Sequence, residues 1–117
     1  MKKASFALTV TGVILFSCSK NVSTPSLVFT EDCSGTAKSY ATDVAPIIAS
    51  HCATNSGCHA SGSREGPGAL LTYTQVYSAR SEIRSQVISG AMPQNITLSS
   101  TQKNAVICWI DNGAGNN

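Results

Sequence analysis

This chain of 117 residues lacks the usual marks of an enzyme: no segment pairs carboxylates for acid–base work, and there is no glycine-rich phosphate loop or serine-elbow motif. No stretch alternates apolar and polar residues at period two, so strands are not expected. Internal repeats and signs of a second domain are missing too. No apolar run reaches the roughly 20 residues that a helix needs to cross a bilayer. A basic excess is lacking as well. The 8 basic and 6 acidic residues give +2, but Lys2 and Lys3 belong to the first few residues, and without them the charges balance at 6 and 6. That balance gives no support to a nucleic-acid or polybasic membrane-binding role, both of which need clustered positive charge.

What is present begins with an address. Lys2 and Lys3 are followed by an uncharged apolar or small stretch from Ala4 to Phe16, then Ser17 and Cys18. A basic start, a hydrophobic run and a small residue at the cut make a secretory signal. Leu15-Phe16-Ser17-Cys18 resembles the lipobox of bacterial lipoproteins, although Phe16 is bulkier than that family usually places there. The resemblance implies that residues 1–17 are removed. Cys18 then becomes the diacylated first residue, anchored to the outer rather than the inner membrane. An ordinary signal cut near Ser19, discarding Cys18, is the other reading. Residues 18–32 are expected to tether the domain, since Asn21 to Thr30 has no helical period and few charges. Residues 33–117 form the domain itself.

Five cysteines in a short exported chain are not idle, because exposed thiols outside the cytoplasm end in disulfides or cofactor bonds. If Cys18 carries lipid, Cys33, Cys52, Cys58 and Cys108 remain. The periodicity is helical. Val44, Ile47 and Ile48 make an apolar stripe on a helix between Ser39 and Cys52, with Asp43 in its first turn and Pro46 expected near its start. Residues 61–68 (SGSREGPG) read as loop. A helical region follows behind a Thr72–Gln75 capping box, with a break expected between Ser78 and Ser81. A second capping box, Ser99–Gln102, opens a last helix whose stripe is Val106, Trp109 and Ile110 and whose stop is Gly113. The expected fold is all-α, with three or four helices and long loops. Trp109, Tyr73 and Tyr77 are expected in the core. Arg80 and Arg84 are expected on a solvated face, with either placed to meet an anionic ligand group.

The chemistry is concentrated in His51-Cys52-Ala53-Thr54-Asn55-Ser56-Gly57-Cys58-His59. Two thiols with a histidine directly after the second make the layout for covalent haem attachment, usually spaced C-x-x-C-H. Here the spacing is C-x5-C-H, so the additional residues must loop out, which Asn55, Ser56 and Gly57 suit. Met92, the one methionine beyond Met1, is followed by Pro93. Other readings exist for each part. Cys52 and Cys58 can form a disulfide beside a surface His59, and Met92 can fill a gap in the core. A zinc site would require the adjacent Cys58 and His59 to bend onto one ion without a second distant ligand pair.

From Tyr40 to Ala114 the chain resembles small bacterial c-type cytochrome domains, through DVAPIIASHC, the Cys58-His59 pair, GAMP and CWIDNGA. The resemblance implies crossed first and last helices and a haem c bound covalently by Cys52 and Cys58. It also implies His59 as proximal and Met92 as distal iron ligand, a pairing that raises the reduction potential. The departure from the family is the spacing between the cysteines. If the helices pack as in that family, Cys33 and Cys108 come within bonding reach; the other reading leaves Cys108 a buried free thiol. The expected protein is a monomeric, lipid-anchored electron carrier serving redox partner proteins in the bacterial envelope, with no enzymatic activity and no nucleic-acid partner. A haem-free, disulfide-stapled lipoprotein acting as a binding or assembly module is the alternative. Cys18→Ser should release the protein from membranes or block its processing. Membrane fractionation and the mass of the mature chain check this, and normal retention would refute the anchor.

Overall fold

In a computed structural model the described residues are 28–117, so the signal segment and Cys18 lie outside them. The described residues hold four helical segments and no strand. We label them α1 (40–52), α2 (Tyr73–Ser78), α3 (Arg80–Ser89) and α4 (Ser100–Asp111). The fold is all-α.

Helix α1 is not regular. A single α-helical turn, Ala45–Ile47, is flanked by wider π-type turns at Tyr40–Val44 and Ile48–Cys52. Pro46 sits in the middle of the helix rather than near its start as the sequence suggests. A proline there has no N–H to give, and its ring crowds the carbonyl one turn back. Widened turns take up this mismatch: the Ala45 N–H reaches back to the Tyr40 carbonyl, and the Ala53 N–H to the Ile48 carbonyl at 2.8 Å. The Ser50 hydroxyl donates to the Pro46 carbonyl at 2.7 Å. Val44 and Ile48 are buried, as the stripe requires.

Both capping boxes form. Thr72 accepts from the Gln75 N–H while the Gln75 side chain accepts from the Thr72 N–H, and Ser99 and Gln102 do the same at the head of α4. The break between α2 and α3 falls at Ala79, inside the expected interval. Helix α3 ends at Gly90, whose φ of +73° is the left-handed conformation that glycine adopts without penalty.

The core forms where α4 packs on the first turns of α1 and along α3. Residues 105–109 of α4 are all buried, more than the three-residue stripe in the sequence implies, because the helix is covered on several sides. Trp109 is 1% exposed and lies 5.5 Å from the Tyr40 ring, which meets Tyr73 edge-on at 5.1 Å. The Trp109 indole donates to the Gly115 carbonyl and the Tyr73 hydroxyl to the Ala114 carbonyl, which folds residues 113–117 back over the cluster. Residues 29–32, which the sequence places in the tether, reach the helices. Glu31 pairs with Arg84, the Asp32 N–H donates to Asn104, and Lys103 lies 5.1 Å from the Phe29 ring centroid.

Cys33 is bonded to Cys108, with Cα atoms 5.4 Å apart across 75 positions of sequence. Closing so long a loop stabilises the fold by about 4 kcal/mol in the chain-entropy model. Replacing both cysteines by alanine should lower the unfolding free energy by about 2–5 kcal/mol in urea titrations. Reductant should destabilise the wild type and leave that variant unchanged.

Candidate functional site

The last turn of α1 carries His51 and Cys52, after which residues 53–57 leave the helix as a loop folded on itself. Asn55 organises this loop. Its side-chain oxygen accepts from the Gly57 N–H at 2.9 Å, and its carbonyl accepts from the Cys58 and Ala60 N–H groups, each at 3.0 Å. The loop is then closed at its base, where the His59 N–H donates to the Cys52 carbonyl at 3.0 Å. The Cys58 carbonyl accepts from the Ser63 hydroxyl, and the His59 carbonyl from the Leu70 N–H at 2.8 Å, tying the segment to residues 63–70.

Cys52, Cys58, His59 and Met92 all line one cavity of about 410 Å³. That volume is within the roughly 300–1,000 Å³ of ordinary ligand and cofactor pockets. Its floor includes Leu70, Ile83 and Val87, all buried side chains. Residues 92–96 also line the cavity. Met92 is half-buried, its N–H donates to the Gln86 carbonyl at 3.3 Å, and the Met92–Pro93 peptide bond is cis.

The two histidines are held differently. His59 Nδ1 lies 2.9 Å from the Gly68 carbonyl. A carbonyl only accepts, so Nδ1 carries a proton, which in the neutral imidazole leaves the lone pair on Nε2. This is how a protein orients an imidazole for coordination. Gly68 has φ +81°, and a Cβ there would stand 3.4 Å from the Ser63 carbonyl oxygen, so glycine is the residue that presents this carbonyl without strain. His51 Nε2 instead lies 2.9 Å from Gln102 Nε2. The Gln102 oxygen already accepts from the Ser99 N–H at 2.9 Å, so its NH₂ end faces His51 and His51 Nε2 is the acceptor. His51 lines the cavity with that nitrogen engaged, whereas His59 has its Nε2 unused.

Cys52 and Cys58 are both free thiols. Burial pushes the Cys52 thiol up to about 11, and the negative charge of Cys58 nearby adds to the rise. Among the described residues no group of three or more His, Cys, Asp or Glu gathers around a point that could hold a bare metal ion. The zinc arrangement considered above is therefore not formed. The cavity presents two thiols, one imidazole nitrogen and one thioether to a largely apolar space.

Arg80 and Arg84 do not line the cavity. Arg84 makes a two-pronged contact with Asp111 at 2.7 and 2.9 Å and a third with Glu31 at 3.3 Å, while Arg80 lies 4.0 Å over the Tyr77 ring. The pairing with Asp111 holds the Asp111 carboxyl below its ordinary range. Neither arginine is in place for an anionic group in the cavity. The Gly68 carbonyl and the Gln102 amide, which orient the two histidines, are not visible as site residues in the sequence. Residues 61–68 read only as loop and Gln102 only as a cap. A comparison with family models, curated proteins and solved structures finds no match to this chain.

The thiolate is the reactive form of cysteine, so in the chain with both thiols free Cys52 should alkylate about 100-fold more slowly at pH 8 than an ordinary thiol. Its rate should keep rising toward pH 11. Cys58→Ser should move that rise to lower pH by removing the neighbouring charge. Iodoacetamide labelling followed by peptide mass spectrometry checks both expectations.

Proposed function

We propose that the protein is a lipid-anchored, monohaem c-type cytochrome that carries single electrons between redox partners in the bacterial cell envelope. One observation carries the reading: Cys52, Cys58, His59 and Met92, separated by up to 40 positions, line a single cavity. In this reading Cys52 and Cys58 hold haem c through thioethers. His59 is the proximal ligand through Nε2, with its Nδ1 proton held by the Gly68 carbonyl. Met92 is the distal ligand, and the domain is a small cytochrome c-like fold.

The donor set fits the group. Haem takes its nitrogens from the porphyrin and needs only two axial ligands from the protein, so the lack of a three-ligand cluster does not bear on it. When bound, haem supplies a one-electron couple. The chain's own part is to hold the axial ligands, keep water out with Leu70, Ile83 and Val87, and keep His51 away from the iron by engaging its Nε2 with Gln102. Such a carrier performs no substrate chemistry. Its anchoring rests on the signal segment and Cys18, with the stretch from Cys18 up to the docked residues 29–32 as the tether and the outer membrane as its site.

Protein exported together with a haem-attachment system should show a Soret band and the pyridine haemochrome spectrum of thioether-linked haem. The oxidised form should show a weak near-infrared sulfur-to-iron band. Met92→Ala should abolish that band and lower the reduction potential, because a ligand favouring ferrous iron is lost. Colourless protein would overturn the reading. An unchanged band in Met92→Ala would assign the sixth position to another group.

A further inference from the structure

We infer that the mouth of this cavity is the docking face for a redox protein that presents positive charge, an inference that rests on the haem reading above. Among the lining residues the charged side chains are Glu65 and Glu82, with no lysine or arginine. Both carboxylates are exposed. Among the described residues both ion pairs belong to Arg84, so neither carboxylate is neutralised by a partner. The described cations are directed elsewhere or lie off the lining: Arg84 to Asp111 and Glu31, Arg80 over Tyr77 and Lys103 over Phe29, with Lys38 and Arg64 outside the cavity wall.

Glu82 stands close to the chemistry. A Cβ built on Gly66 would lie 3.5 Å from Glu82 Oε1 and 4.0 Å from His59 Cε1, so the carboxylate and the imidazole flank the same point. The other polar groups near the opening, Ser50, Thr54, Gln94 and Asn95, are neutral and offset nothing. Ile96, 48% exposed, adds an apolar contact beside them. The entrance through which an electron leaves is thus negative with an apolar contact point, and that field attracts and orients a partner of opposite sign.

The test uses the haem-loaded protein, reduced, and two oxidants of opposite charge: tris-phenanthroline cobalt(III), tripositive, and ferricyanide, trinegative. Each takes one electron, leaving ferric protein with cobalt(II) or ferrocyanide. Between about 10 and 200 mM salt the cobalt rate should fall several-fold and the ferricyanide rate should rise. Glu65→Gln combined with Glu82→Gln should shrink the cobalt-to-ferricyanide rate ratio at low salt by about threefold or more. Its unchanged Soret band reports that the haem is in place. Independently of electron transfer, the paramagnetic cation hexaamminechromium(III) should broaden the amide resonances of Gly66, Ile83 and Ile96 in the ferrous protein. Hexacyanochromate(III) should spare them. A cobalt rate that rises with salt, a ratio unchanged in the double variant, or broadening by the anion instead would overturn the inference while leaving the haem reading intact. Colourless protein overturns the haem reading, and this inference with it.

Discussion

Five consecutive buried residues on α4, 105–109, are the constraint from which the rest of the domain hangs. A chain this small buries too little surface to be held by packing alone, and its remaining fastenings converge on the same helix. Cys108 takes the disulfide from the N-terminal approach, Asp111 takes Arg84 from α3, and Trp109 meets Tyr40 at the head of α1. Gln102 reaches His51 at the other end of α1. With α4 fixed, α1 is gripped at both ends, and its C-terminal turn presents Cys52 at the edge of the cavity.

The cavity is assembled from parts that lie apart in sequence, and a backbone hydrogen bond anchors each of them. The Cys52 carbonyl receives the His59 N–H, the His59 carbonyl receives the Leu70 N–H, and the Gln86 carbonyl receives the Met92 N–H. The first two bonds join Cys52 to His59 and His59 to Leu70, and the third fixes the start of the methionine loop against the end of α3. The side chains that face the interior are then free for chemistry. This is the arrangement expected where a site is pre-organised by its support.

The elements legible in the sequence were those decided within a few residues. Both capping boxes, the break near Ala79 and the glycine stop at Gly113, where φ is +96°, depend on contacts at three or four positions, and each formed. The Cys33–Cys108 bond is legible only through the resemblance of the whole stretch to a known fold, because nothing local brings the two cysteines together. Regular α-helical geometry puts Pro46 near a helix start, whereas π-type turns on both sides let it sit mid-helix. The contacts of residues 29–32, the partners of Arg84 and the second duty of Gln102 were illegible, since each depends on a surface that exists only after α3 and α4 have packed. For the candidate site, the residue types and their order were in the sequence. Which histidine has a nitrogen to spare was not, because it is decided by the Gly68 carbonyl and the Gln102 amide from elsewhere in the chain.

The bond between the His59 N–H and the Cys52 carbonyl has a wider consequence. It acts as a clasp at the neck of a bead whose contents, residues 53–57, are internally tied by Asn55. Whatever is threaded inside the bead, the two ends leave it at the same place. The residues between the cysteines are mostly exposed, with Thr54 and Gly57 also lining the cavity, while Cys52 and the Cys58-His59 pair are held together at the neck. Separation along the chain and separation in space part company at this point, and a motif defined by counting residues would overlook a site defined by its clasp.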